Sequence, residues 1–215
     1  MPMNPFTQGC WPTSTKNNSI SGSGPGTVPQ PSLLGALSFP SPVIASLEAQ
    51  TSLTSFRFTS FNPTILNLTF LRQSDLRPYF RVWTDHRPAK EGSTVVNDED
   101  KKPTIIVEWA PEDGGGPIVE VRDVVSKRRT GEWLILSEDK SYRTMRALGK
   151  TFIWTPQGEN LCLYAPGLCT PELFARVSRT EDSVYLDLTA EAVRMGLLPV
   201  CVAATLLLQC GRKID

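Results

Sequence analysis

The carboxyl-terminal stretch from Met195 to Gly211 contains no charged residue, and two cations follow it directly. Such a stretch has to be buried, either in a bilayer or in the protein itself, so its destination constrains the whole fold. Pro199 lies inside it. Proline is tolerated at the first position of a helix but not in the interior. The sequence therefore predicts a break at residues 196–199 and a helix over residues 199–211.

The predicted helix is apolar on every side. Up to Cys210 its only polar residues are Thr205 and Gln209, and a helix of this kind has to be enclosed all round. About 12 residues cover about 18 Å at the helical rise, whereas the hydrocarbon core of a bilayer is about 30 Å thick. Enclosure by the protein's own β-structure is therefore favoured over a tail anchor that spans a membrane with residues 195–211.

Residues 1–48 differ in composition from the rest of the chain. They carry only Lys16 and Glu48 as charged side chains and are rich in Pro, Ser, Gly, Thr and Asn. A segment with so little apolar surface cannot offset the entropy that ordering would cost. We therefore predict a disordered tail over residues 1–48 and a single domain over residues 49–215.

Short β-type segments follow one another through the middle of the chain. They are rich in β-branched and aromatic residues, and Gly, Pro and Asn separate them, which is typical of an all-β sandwich or barrel. The segments cover residues 54–60, 65–70, 79–83, 104–109, 118–121, 132–136, 142–147, 151–154, 161–164, 173–177 and 184–188.

The strands and the helix together predict one architecture. A closed sheet has no exposed edges, and a barrel of about 11–12 strands has an interior that must be filled. A short helix that is apolar on all sides would fill it. We therefore predict a mainly β fold, a barrel that encloses its own C-terminal hydrophobic α-helix, with Thr189 as the cap of the helical segment that leads inward.

Several short motifs occur in a fixed order between Asn67 and Lys213. They are Ile106-Val107-Glu108-Trp109, Tyr142-Arg143, Phe152-Ile153-Trp154 followed by Pro156-Gln157-Gly158, Phe174-Ala175-Arg176-Val177, Val184-Tyr185-Leu186-Asp187-Leu188 and the apolar ending closed by Arg212-Lys213. Their order and spacing resemble a fungal, mainly basidiomycete, domain of unknown function (family 6593). That family is itself similar to the tubby C-terminal, LURP-one and phospholipid-scramblase barrels. The resemblance implies binding to phosphoinositide headgroups or another membrane-related role, and it transfers no activity and no ligand residue to this chain.

Two groups of cations form a candidate ligand site. Arginine offers phosphate a forked pair of donors and lysine a point charge, and each such residue near an anionic membrane contributes about 1 kcal/mol. The alternative is that these residues are ordinary solvated loop residues. The candidates are Lys127, Arg128 and Arg129 in one predicted loop and Lys101 and Lys102 in another.

The sequence lacks the usual catalytic and metal-binding motifs. Gly149-Lys150-Thr151 looks like the end of a P-loop, but Thr144 occupies the position of the first glycine of that motif. His86 is the only histidine and lies in a predicted polar turn, so histidine triads and multi-histidine metal sites are not expected. Five cysteines without framework spacing indicate a reduced, intracellular protein. We predict no cofactor and no metal.

The charge balance does not direct the chain to nucleic acid, because Lys plus Arg and Asp plus Glu each total 22. The first interpretation is a non-enzymatic binding or scaffold module in the cytoplasm, or peripheral at a membrane, with an anionic phospholipid or a protein as its partner. The second is a tail-anchored membrane protein. The third is an enzyme with an unrecognised carboxylate-based site. The sequence leaves the oligomeric state open.

Overall fold

A computed structural model describes residues 53–59, 65–87, 90–109, 115–166, 171–180 and 182–215. The predicted tail over residues 1–48 lies outside these ranges. The described chain is mainly β, with 13 strands in one antiparallel sheet and helices near the C-terminus. The strands are β1 (Leu53–Phe58), β2 (Leu68–Arg72), β3 (Pro78–Arg87), β4 (Lys90–Asn97), β5 (Pro103–Glu108), β6 (Ile118–Val121), β7 (Val125–Arg129), β8 (Leu134–Leu136), β9 (Arg143–Ala147), β10 (Lys150–Gln157), β11 (Asn160–Ala165), β12 (Glu172–Arg179) and β13 (Val184–Thr189). The helices are α1 (Thr130–Trp133), α2 (Ala190–Arg194) and α3 (Leu198–Gln209).

The strands follow one another in the order β7-β6-β5-β4-β3-β2-β1-β13-β12-β11-β10-β9-β8. Each neighbouring pair is antiparallel, and β1 and β13 join the two halves of the sheet. Within the described residues no ladder joins β7 to β8, so hydrogen bonds between the edge strands do not close the sheet. Only the single helical turn α1 separates these two edges along the chain.

The sequence predicted 11 of the strands in approximately their observed places and missed two, β4 and β7. β4 begins with polar residues and a glycine, and three consecutive cations and a serine make up most of β7. Neither strand shows the alternation of apolar and polar residues on which the prediction relied. The predicted strand 132–136 is also shorter than expected, because Glu132 and Trp133 belong to α1.

The core lies between the sheet and α3. Alternate strand residues point inward, and several are aromatic: the ring of Phe70 stacks on Phe56 at 5.0 Å between centroids and meets Phe58 edge-on at 4.7 Å. Residues 200–209 of α3 are all buried, including the polar Thr205 and Gln209. Thr205 donates its hydroxyl hydrogen to the carbonyl of Cys201 at 2.7 Å. The prediction of a helix enclosed by protein is confirmed.

Local signals bring the chain from β13 into the core. The Thr189 hydroxyl accepts a hydrogen bond from the Ala192 amide at 3.2 Å and so caps α2, as predicted. Gly196 has a positive φ of 75° and ends α2 in a Schellman motif, in which the amide of Leu197 donates to the carbonyl of Ala192 at 3.0 Å. Pro199 lies in the first turn of α3, where its missing amide hydrogen costs nothing.

The antiparallel order places alternate turns at the same end of the sheet. The turns at residues 73–77, 98–102 and 122–124 share the end that we call the turn end. Ion pairs join them: Arg77 contacts Glu99 at 2.5 Å and Arg122 contacts Asp98 at 3.4 Å. The residues after α3 lie at the opposite end, where the Arg212 guanidinium packs over the Trp109 ring at 4.6 Å.

Candidate functional site

The predicted basic loop around residue 128 is a strand and not a loop. Lys127, Arg128 and Arg129 belong to β7, which pairs with β6 on one side and forms an edge of the sheet on the other. Ser126, Lys127 and Arg128 are exposed and Arg129 is half-buried. An edge strand that carries cations is protected from pairing with other chains. The same exposure leaves these side chains accessible to an anionic ligand.

Lys127 forms an ion pair on the outer side of the sheet. Its ammonium donates to the Glu108 carboxylate at 2.5 Å. This hydrogen bond and the negative charge of Glu108 raise the pKa of Lys127. The pair is solvent-exposed, so it contributes little to stability. A phosphate group would have to compete with Glu108 for this lysine.

The two arginines of β7 have different environments. The Arg128 guanidinium donates to the hydroxyl oxygen and the carbonyl oxygen of Ser126, at 2.6 and 3.2 Å, so it stays on its own strand. The Arg129 guanidinium turns away from it and donates to the carbonyl of Gly116 at 2.7 Å. Lys127 and Arg128 are therefore the exposed cations of β7, and Arg129 supports the neighbouring loop.

Lys101 and Lys102 lie in a turn, as predicted, between β4 and β5. The turn is at the turn end of the sheet, whereas Arg129 lies at the opposite end, beside Gly116. Lys102 pairs with Asp100 at 3.6 Å, and two further acids, Asp98 and Glu99, belong to the same turn. The structure therefore does not bring the five predicted cations together into one site.

The turn end also carries three exposed apolar side chains. Leu76 is 62% exposed in the turn between β2 and β3, Leu148 is 42% exposed between β9 and β10, and Val193 is 41% exposed on α2. Leu76 and Leu148 have φ values of 56° and 52°, in the left-handed region that usually favours Gly or Asn. Exposed leucines at strained turn positions contribute nothing to the core. They make the turn end a second candidate binding surface.

Sequence reasoning left open whether Arg143 points outward or pairs with a carboxylate, and it did not identify the partner at the opposite end. Arg143, the first residue of β9, is fully buried, and its guanidinium holds the Asp215 carboxylate through two hydrogen bonds of 2.9 and 2.6 Å. A third hydrogen bond runs from Arg143 to the carbonyl of Leu134 at 2.7 Å. Arg143 lies two and four residues before the buried Met145 and Ala147, so all three share one face of β9. This spacing was the signal that could have placed the arginine inside.

A second, partly buried ion pair lies where the two halves of the sheet meet. The Asp187 carboxylate of β13 accepts hydrogen bonds from the Arg176 guanidinium at 3.0 and 3.2 Å and from the Ser55 hydroxyl at 2.5 Å. These residues lie opposite one another in register on three adjacent strands. The contacts satisfy the carboxylate and tie β1, β12 and β13 together, which indicates a structural role.

The residues examined as catalytic candidates form no catalytic arrangement in the described part of the chain. Gly149, at a φ of 72°, follows Leu148 in the tight turn between β9 and β10, and Lys150 begins β10, so this is not a P-loop. The turn predicted around His86 is wrong, because His86 lies in β3, paired with Glu91. Among the described residues no group of His, Cys, Asp and Glu could hold a metal ion.

Of the two cysteines in the central helical segment, Cys201 is fully buried and Cys210 is partly buried. Burial raises the pKa of the Cys201 thiol far above its ordinary value and that of Cys210 to about 11. Both therefore stay protonated at neutral pH, and a protonated thiol is a poor nucleophile.

Comparison with known proteins finds no relative: no family model, no curated protein and no solved structure matches this chain. In the part of the chain that the structure describes, no helix has the length and apolar character needed to span a bilayer.

Proposed function

We propose that the sheet is a tubby-like barrel. It is closed by the continuous chain from β7 through α1 to β8 and not by hydrogen bonds between these two strands. Because every neighbouring pair is antiparallel along the order of 13 strands, β7 and β8 run in the same direction. Two parallel strands side by side need a crossover of a dozen or more residues, whereas α1 has 4 residues. β7 and β8 are therefore consecutive halves of one bent strand, which pairs first with β6 and then with β9. This continuity leaves about 12 strands around α3 and supports the barrel and the family resemblance.

The function that we propose is a non-enzymatic module that binds anionic, phosphate-bearing lipid headgroups from the cytoplasmic side of a membrane. The observation that carries it is the exposed run Ser126-Lys127-Arg128 on β7, the half of the bent strand that pairs only with β6 in the described residues. The hydroxyl, ammonium and guanidinium groups of this run are all hydrogen-bond donors suited to phosphate oxygens.

The turn end is a second candidate surface for the same class of ligand. Lys101 and Lys102 would meet the headgroups there, and Leu76 and Leu148 would reach the acyl boundary. Aliphatic side chains at the tips of separate turns suit a flat, fluid surface better than a protein groove. Four of the five predicted cations, Lys127 and Arg128 on β7 and Lys101 and Lys102 at the turn end, therefore form two alternative contact surfaces for one membrane, and the experiment has to separate them.

Vesicle co-sedimentation of the full chain tests the proposal. Lys127→Gln/Arg128→Gln should weaken binding to vesicles that contain phosphatidylinositol bisphosphate by about thirtyfold, since two charged contacts of about 1 kcal/mol each are lost. The matched control is Lys140→Gln/Arg146→Gln, which removes two exposed cations elsewhere and should bind like the wild type.

Two further results assign the surface. A loss of binding only in Lys101→Gln/Lys102→Gln would move the contact from β7 to the turn end. Equal binding of phosphatidylcholine vesicles with and without the anionic lipid, or no binding to either, would contradict the proposed function itself.

A further inference from the structure

Arg143 is the only fully buried cation in the described part of the chain, and its surroundings are built for an anion. Its exposed fraction is 0%, and its two terminal nitrogens face the same side, where the Asp215 carboxylate lies. A buried guanidinium without an anion would be strongly destabilising. The fold therefore always needs a negative charge at this position, and in the structure Asp215 supplies it.

The anion position opens to solvent, although the arginine does not. The Asp215 side chain is 36% exposed, while Arg143 is completely covered. The side of the guanidinium that Asp215 covers is therefore the side nearest to solvent. Forked recognition of this kind suits carboxylates and phosphates equally well.

The segment that carries Asp215 is joined to the core helix but is not part of it. Residues 210–215 follow the end of α3 and lie outside helices and strands. The buried Ile214 and the contact of Arg212 with the Trp109 ring hold this segment.

The backbone of Gly116 lies close to the segment that carries Asp215. A Cβ atom at Gly116 would lie 3.3 Å from the carbonyl oxygen of Ile214, and one at Gly131 would lie 3.7 Å from the Asp215 carboxylate. The carbonyl of Gly116 is also the acceptor for Arg129. The guanidinium of Arg129 therefore binds the same glycine whose backbone lies beside the segment that carries Asp215.

From this geometry we infer that Arg143 is an anion-binding residue whose site Asp215 occupies in cis, and that a phosphate monoester displaces this carboxylate. A tethered carboxylate competes at a high effective concentration, so only an anion of greater charge, such as the phosphate dianion, replaces it. The ligand is either free phosphate or the terminal phosphate of a lipid headgroup. The inference stands apart from the β7 surface and survives if that surface binds nothing.

Phosphate binding by the full chain tests this inference through calorimetric titration at constant ionic strength. Asp215→Asn removes the competing charge and should bind inorganic phosphate on the order of tenfold more tightly than the wild type. Ile214→Ala leaves both charges in place but loosens the segment, and should give a smaller gain in affinity. Because Ile214→Ala keeps the buried pair, it tests the idea even if Asp215→Asn folds poorly.

The double variant Arg143→Met/Asp215→Asn is the decisive control. It replaces the buried pair by groups of similar size, a change that such sites often tolerate, and should lose the gain in phosphate affinity completely. A gain that persists in this variant, or no gain in either single variant, would overturn the inference. Vesicles with phosphatidic acid distinguish the sources. Asp215→Asn and the double variant both keep the β7 surface, so tighter binding of Asp215→Asn than of the double variant to these vesicles identifies a lipid phosphate. A gain with inorganic phosphate alone identifies the free anion.

Discussion

At the scale of single residues, the polar groups inside this fold are the ones that carry specific consequences. Asp187 is buried between Arg176 and Ser55, and each of its contacts crosses to a neighbouring strand. Such a carboxylate cannot be removed without leaving donors unsatisfied. The sequence placed Asp187 in a strand, but no pattern indicated its partners, since Ser55 is far away along the chain.

Asp187→Ala should lower the free energy of unfolding by about 1–3 kcal/mol, because it leaves the partly buried Arg176 without its carboxylate. Ser55→Ala removes only one neutral donor and should cost about 1 kcal/mol or less. Urea unfolding followed by circular dichroism measures both. Similar values for the two variants would show that the charge of Asp187 is not what matters.

The pKa of the Cys210 thiol predicts how the stability of the protein depends on pH. Its pKa rises from an ordinary value of about 9 to about 11 in the folded protein because burial disfavours the thiolate. A group whose pKa is higher in the folded than in the unfolded protein makes its full contribution to stability below the unfolded pKa. That contribution is lost as the pH rises through the folded pKa. Stability should therefore decline between about pH 9 and pH 11.

Iodoacetamide at pH 8, with peptide mass spectrometry, should label Cys210 only after denaturation. Rapid labelling of the native protein would contradict the burial.

At the scale of elements, the connection from β13 into the core is encoded locally and the edge of the sheet is not. Thr189, Gly196 and Pro199 each have a residue-specific backbone role at one end of a helix. Such signals depend on neighbouring residues, so the sequence alone revealed them. β7 is a strand because it pairs with β6, and the residues of β7 show no periodic pattern that predicts this pairing.

Gly196→Ala tests the connection between α2 and α3. Nothing lies within 4 Å of a Cβ atom placed there, so the cost comes from the positive φ alone. We expect a loss of about 1–2 kcal/mol in the free energy of unfolding. Gly196→Asn should cost less, because asparagine tolerates this conformation better. Thermal or urea unfolding of the two variants measures the loss in the free energy of unfolding. Equal losses for Gly196→Ala and Gly196→Asn would point to a steric clash instead of backbone strain.

At the scale of the whole molecule, α3 is the helix that fills the core against the sheet. It is buried along its length and packs against β5, β6 and β13, which belong to both halves of the sheet. Its side chains therefore join strands that do not pair with each other. A tail anchor would have to withdraw this helix from the core.

Deleting residues 195–215 should abolish cooperative unfolding of the purified protein, because the core would lose its central element and leave a large cavity. The same deletion would leave the fold intact if the segment were a membrane anchor. Carbonate extraction of membranes gives an independent test: the full chain should be released into the supernatant, and retention in the pellet would favour the anchor.

The sequence by itself determined the mainly β class, the enclosed helix with its cap and its break, and the position of most strands. These features follow from local backbone preferences and from the burial of apolar residues, which a periodic pattern records. The tertiary structure alone decided that the basic residues of β7 lie on an edge strand, that Lys101 and Lys102 lie at the other end, and that Arg143 meets Asp215. Contacts between residues far apart in the chain leave no trace in local periodicity, because the sheet register and the path of the last residues create them.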